Sequence, residues 1–110
     1  MNLPLEPITD ALSVPIVEPL EKLTAPLLDM HRGLASLIAA LQAVDSTTQR
    51  HEACTDPELR LVLAAHRDAH KKQAAMLLEW VRRRDVRFDH ELKQALFKAG
   101  PITADKHTGD

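Results

Sequence analysis

The sequence predicts an all-α protein: an antiparallel two-helix hairpin plus a short C-terminal helix, dimerising into a four-helix bundle. Three observations carry that expectation. Leu20, Leu23, Leu27, Met30, Leu34, Leu37, Leu41 and Val44 recur at unbroken 3-4 spacing, the period of a helix packed along its length on others. A second series, Leu59, Val62, His66, Ala69, Gln73, Met76 and Trp80, repeats the spacing after a polar interval. Hydrophobic residues make up 45% of the 110-residue chain but aromatics only 3%, so the core is aliphatic and thin, and a second copy would complete its burial.

Taken in order, residues 1–19 contain Pro4, Pro7, Pro15 and Pro19 without a clean period, and read as an extended or poorly ordered arm. The helical domain spans 20–100. Pro26 does not suit a helix interior, where it removes a hydrogen bond and clashes with the preceding turn. Either the first helix kinks there or it starts near Thr24 as N-cap, with Pro26 in the first turn; the second solution is preferred. The polar stretch Asp45 to Cys54 reads as a connector. Thr55 and Glu58 then have capping-box spacing around Pro57, so the second helix is expected from about Asp56 to Asp85. A third helix, from about Asp89 to Lys98, carries Leu92, Leu96 and Phe97 and is ended by Gly100-Pro101. Residues 101–110 are expected to be a flexible tail.

Composition excludes several function classes. A net charge of −2 argues against a general nucleic-acid or anionic-membrane binder. The Arg82-Arg83-Arg84 run with Arg87 reads as cations completing the C-terminal end of a long helix. Cys54 is the only cysteine, so an intrachain disulfide is impossible, a Cys-based zinc site is disfavoured, and a free thiol in a reducing compartment is expected. Met1 to Asp10 shows neither a basic n-region nor an apolar h-region, and no apolar run reaches membrane-spanning length. The expected location is cytoplasmic. Ser13, Ser36 and Ser46 lack any nucleophile motif, which makes hydrolytic chemistry unsupported.

The chemistry-bearing segment is His66-Arg67-Asp68-Ala69-His70-Lys71-Lys72-Gln73, a polar break in the second stripe. His66, His70 and Gln73 share one helix face at i, i+4, i+7. A polar group buried without a partner costs about 1–3 kcal/mol, so partner groups, water or a metal should stand opposite. In a bundle of two hairpins the middle of the second helix lies near the two-fold axis, where His70 and Gln73 would face their symmetry mates. His66 and His70 are therefore candidate ligands for Zn, Ni or Cu across the dimer interface. A water-linked polar core or a solvent-facing patch is the preferred reading, because Lys71 and Lys72 add positive charge beside the pair. A hard cation such as iron needs oxygen ligands as well, and the inward part of the first helix, Leu37-Ile38-Ala39-Ala40-Leu41, supplies no carboxylate. Trp80 reads as a bulky plug at the bundle end, and His31, His51, His90 and His107 as hydrogen-bonded or solvated residues.

The series Glu18-Pro19-Leu20-Glu21, His31-Arg32, Ala43-Val44-Asp45, Gln49-Arg50, Thr55-Asp56-Pro57-Glu58-Leu59, Arg67-Asp68, Ala74-Ala75-Met76, Leu78-Glu79-Trp80, Arg82-Arg83, Asp85 and Gly100-Pro101-Ile102-Thr103 closely resembles the encapsulated ferritins, the ferritin-like cargo of encapsulin nanocompartments. The likeness runs in register from about Glu18 to Thr103. It implies a hairpin whose dimer rebuilds a ferritin-like bundle, a ring of such dimers, and iron oxidised at a di-iron site on the dimer interface and passed to an encapsulin shell. The family's helix-one iron glutamate falls on Ala40, and its Glu-x-x-His pair on His70 and Gln73. Neighbouring acidic positions fall on Ala39 and Gln42. After the Gly-Pro-Ile-Thr block, Ala104 to Asp110 contains no apolar docking peptide. The expectation is thus a non-catalytic structural or regulatory subunit linked to iron storage, with no resident cofactor and with iron implied by resemblance alone. Its partners would be further copies, an encapsulin shell or an active paralogue. Two alternatives stand beside it: a metal-binding or iron-oxidising protein with a rebuilt site at His66 and His70, and a helical oligomerisation module unconnected with iron.

Overall fold

Thr24 resolves the position of Pro26. Its side-chain oxygen accepts a hydrogen bond from the Leu27 N–H at 3.3 Å, and helix α1 (Ala25–Ala53) begins at the next residue. Pro26 therefore sits in the first turn, where its missing N–H has no intrahelical partner to lose. The structure, a computed structural model, describes residues 14–103. Most of the expected arm, His107 and most of the tail lie outside the described residues. Residues 14–19 are non-helical and lead into a single 3-10 turn, Leu20–Lys22.

The expected connector at Asp45–Cys54 is instead helical to Ala53. Polar side chains do not end a helix when the helix itself partners them. Thr48 Oγ1 donates to the Val44 carbonyl at 2.7 Å, Gln49 Nε2 donates to Asp45 Oδ2 at 3.2 Å, and Thr47 is buried. The true connector is Cys54-Thr55-Asp56. Asp56, rather than Thr55, caps helix α2 (Pro57–Arg84): its Oδ2 accepts from the Leu59 N–H at 2.8 Å. Capping by Asp56 puts Pro57 at the favoured first helical position, and an ionised carboxylate is the stronger acceptor at a helix N-terminus. The loop is closed from the other side by Arg60, whose guanidinium donates to the last-turn carbonyls of α1 at His51 (2.8 Å) and Cys54 (3.1 Å).

Helix α3 (Val86–Ala95) starts three residues before the expected Asp89. Asp85 makes the junction by itself. Its N–H donates to Val81 O at 3.1 Å to close α2, while its Oδ1 accepts from Phe88 N–H at 2.8 Å to open α3. Phe97, expected within α3, lies beyond its end with φ 58° and is fully exposed. Among the described residues there is no strand, so the chain is all-helical: α1 and α2 pack as a hairpin, and α3 packs on α2.

An ion-pair network holds α3 to α2. Arg82 donates to both carboxylate oxygens of Glu79 at 2.7 Å and also to Asp89, which Lys93 contacts at 3.1 Å. Arg83 donates to Glu79 Oε2 at 2.6 Å. The arginine run thus includes one residue, Arg82, that ties two helices together, beyond complementing a helix end. Hydrogen bonds from Arg82 and then Arg83 hold the Glu79 carboxyl down to about 2, and Arg82 followed by Lys93 lowers Asp89 as well. A carboxylate whose folded pKa lies below its unfolded one contributes stability above the unfolded value and loses it as pH falls through the folded value. Protection of the α3 amides against hydrogen exchange is therefore expected to fall as pH is lowered from 4.5 towards 2, and Arg82→Met is expected to flatten that dependence. An unchanged profile in Arg82→Met would remove the network from the account of this joint.

Apart from Trp80, which lies against Gly33, the hairpin contact uses a different face of α2 from the expected stripe. Arg60, Leu63, Arg67, His70 and Leu77 are among the half-buried positions, and Ala74 and Val81 are buried, Val81 fully. On α1, Ala40 and Thr47 are buried while Leu41 is exposed. Small residues at Ala40 and Ala74 bring the two backbones together, with Leu63, Leu77 and Val81 packed on the same face of α2. Leu27, Leu41, Leu59, Val62 and Met76 consequently remain exposed on the single chain.

Candidate functional site

The middle of the hairpin presents an open groove of about 580 Å³ between α1 and α2. From α1 it is lined by Ser36, Ala39, Ala40 and Ala43, small residues spaced to share one helix face. From α2 come His70, Gln73, Met76 and Leu77, with Trp80 closing one end. The three positions singled out by the family resemblance, Ala40, His70 and Gln73, thus meet in one groove. Ala40 is buried in its floor, His70 is half-buried, and Gln73 is exposed at its rim. The spacing Ser36-x-x-Ala39-Ala40-x-x-Ala43 was the sequence signal for the α1 wall, hidden beneath the more apolar leucine stripe.

The polar side chains of α2 are linked to one another. His70 Nδ1 lies 3.2 Å from Gln73 Oε1, and His70 Nε2 lies 3.1 Å from His66 Nε2. With the amide oxygen as acceptor, His70 carries its proton on Nδ1, which leaves Nε2 with a free lone pair. That lone pair accepts the His66 Nε2–H. The two imidazoles meet edge to face, centroids 4.4 Å apart and planes at 73°. The triad at 66, 70 and 73 therefore satisfies much of its own polarity along the helix, which is how an apolar stripe tolerates it.

A di-iron centre does not fit this donor set. The lining supplies an imidazole and an amide but no carboxylate, and iron sites of the ferritin-like kind are built from inward glutamates with a Glu-x-x-His pair. Among the described residues no three histidine, cysteine or acidic side chains are grouped to hold a metal. The other histidines are dispersed. His31 is half-buried on α1 beside Arg32, which pairs with Asp29 at 2.8 Å, and His90 is exposed on α3. His51, expected in solvent, is instead largely covered near the end of α1, with a buried Nδ1 that has no hydrogen-bond partner; the helix that replaces the expected connector carries it inward. Cys54 is a half-buried free thiol at the end of α1. Trp80 is half-buried and lies across Gly33 of α1, with the Arg84 guanidinium 4.3 Å above its ring, so it wedges between the helices.

Residues 15–99 match the EncFtn-like family model. The chain is similar to an encapsulated ferritin-like protein of Rhodospirillum rubrum, 48% identical over 87 residues, which are 79% of this chain and 62% of that protein. It is also similar to a ferritin-like protein of Thermotoga maritima, 40% identical over 86 residues, covering 78% of this chain and 75% of that one. The crystal structure of a Nitrosomonas europaea protein superposes with a TM-score of 0.79 at 48% identity, over 83% of this chain and 100% of that chain. This chain thus spans less than two thirds of the Rhodospirillum rubrum relative's length.

Proposed function

We propose that this chain, which belongs to the EncFtn-like family of encapsulated ferritin-like proteins, is a non-catalytic subunit linked to iron storage, with a structural or regulatory role. The observation that carries the reading is the composition of the groove. At the three places where the family resemblance puts Glu, Glu and His, this chain has Ala40, His70 and Gln73, and no lining residue is acidic. Iron presented to such a surface finds neither the negative charge nor the oxygen ligands that would draw it there and accommodate its oxidised form.

The same reading includes assembly. Only Ala40, Thr47, Ala74 and Val81 are buried among the described residues, while Leu27, Leu41, Leu59, Val62 and Met76 stay exposed. A second copy covering those aliphatics completes a four-helix bundle and supplies the core one hairpin lacks. Rings of such dimers, or mixed assembly with an active paralogue inside an encapsulin shell in the cytoplasm, follow the same logic. Among the described residues no helix is long and apolar enough to cross a membrane.

Two measurements test the proposal. Fe(II) added in air to the purified protein is expected to oxidise at the rate of buffer alone, whereas acceleration that saturates with protein would overturn the non-catalytic role. Sedimentation at micromolar concentration is expected to show a dimer or larger species. A monomer would remove the assembly on which a structural role depends.

A further inference from the structure

We infer that His66 and His70 form a two-imidazole clamp for a borderline divalent cation of the Cu(II), Ni(II) or Zn(II) class, held by one helix face of a single chain. This goes beyond the non-catalytic reading and does not rest on it. The pair stands at i and i+4 on α2, and its two Nε2 atoms are already 3.1 Å apart. With metal–nitrogen bonds of about 2.0–2.1 Å, that separation closes an N–M–N angle of roughly 95–100°, suited to adjacent positions of a square-planar or tetragonal ion. Rotation about the side-chain torsions of His66, which is exposed, is sufficient to turn its lone pair from its partner towards a shared ion.

Gln73 prepares the site. Its Oε1 accepts from His70 Nδ1, which fixes the tautomer with Nε2 free, the outer hydrogen bond that metal-bound histidines require. His66 gives up its Nε2 proton to solvent and takes one at Nδ1, so both ligands bind as neutral imidazoles with no net proton change. A neutral nitrogen pair selects by softness and by the Irving–Williams order, placing Cu(II) first, Ni(II) and Zn(II) behind it, and Fe(II) and Mn(II) last. His66 is exposed and His70 borders the groove, so water or a second chain's pair can complete the remaining coordination positions. Lys71 and Lys72, both exposed, lower the affinity without blocking access.

Cu(II) and Ni(II), supplied as simple salts to the full chain, are the probes. Copper is expected to bind with an electron paramagnetic resonance spectrum split by imidazole nitrogens. His66→Ala and His70→Ala should each weaken it at least about tenfold, and Gln73→Ala by roughly tenfold through loss of the tautomer lock. His66→Ala, at an exposed position, should keep the wild-type circular dichroism spectrum, so its loss of binding is not a loss of fold. Ni(II) should raise the thermal midpoint of wild type and leave that of His66→Ala unmoved. Copper affinity unchanged in His66→Ala, or Fe(II) binding as tightly as Cu(II), would overturn the clamp. The copper result would not bear on the iron-oxidation test above.

Discussion

The triple variant Ala40→Glu/His70→Glu/Gln73→His is expected to oxidise Fe(II) in air at least about tenfold faster than wild type, which stays at the rate of buffer. The expectation follows from the groove more than from the substitutions one by one. Ala40 on α1 and His70 and Gln73 on α2 already line a single open space, so the three introduced groups would converge without any change of helix register. Glu at 70 and His at 73 share a face at i, i+3, and Ala40, although buried, borders the 580 Å³ groove into which a longer side chain would have to extend. Single replacements are expected to give little, because one carboxylate offers one or two oxygens to an ion that needs several. Buried acidic groups without metal will repel one another, so the variant should be less stable than wild type in chelator and recover on adding Fe(II). An inactive triple variant that folds and still pairs would show that more than these ligands separates this chain from a working oxidation centre. It would also weaken the inference that their replacement is what silenced it.

The helical architecture was legible because strict 3-4 spacing from Leu27 to Val44, six residues of α1, has few other physical meanings; Leu20 and Leu23, which open the series, lie in and just after the 3-10 turn that precedes the helix. The contact between the helices was not. The α2 stripe from Leu59 to Met76 stays exposed, and on α1 Leu27 and Leu41 are exposed while Met30, Leu34 and Leu37 are half-buried; the buried positions of the two helices are Ala40, Thr47, Ala74 and Val81. A periodicity argument weighs side chains by hydrophobicity, whereas two helices approach most closely where side chains are small. Helix ends failed for a related reason. Asp45 to Ala53 carries the composition of a loop, yet Ser46, Thr48 and Gln49 each find a partner one turn back, and the helix runs on to Ala53, just short of Pro57. Asp85, serving two helices at once, gives no composition shift at all. The side-chain grouping was legible: His66, His70 and Gln73 share a face by helix geometry alone, and the structure adds the 3.1 and 3.2 Å links between them. What the sequence withheld was the other wall, because alanine carries no chemistry to notice.

Replacing Gly33 by alanine is expected to destabilise the hairpin by about 1–2 kcal/mol, against the direction that helix propensity alone would give. A glycine inside a helix costs about 1 kcal/mol relative to alanine, so Gly33→Ala on an open surface would be a gain. Here a Cβ at position 33 would lie 2.6 Å from Trp80 Cζ3 and 2.9 Å from Cε3, far inside the roughly 3.5–4.0 Å at which carbon atoms rest. The obstruction is a rigid ring rather than a flexible chain end, and the ring keeps the Arg84 guanidinium 4.3 Å from its centroid only where it now lies. Either α1 shifts away from α2 or the indole leaves the groove; overpacking of this kind costs about 1–3 kcal/mol, which exceeds the propensity gain. Two consequences separate this account from a generic loss of stability. Trp80 is the only tryptophan, so its fluorescence in the folded Gly33→Ala protein should shift towards that of a solvated indole. In a Trp80→Leu background the same alanine should become neutral or stabilising, by up to about 1 kcal/mol in urea unfolding followed by circular dichroism, because the two residues are coupled only through their contact. Stabilisation by Gly33→Ala in both backgrounds would mean that the ring does not rest on the glycine.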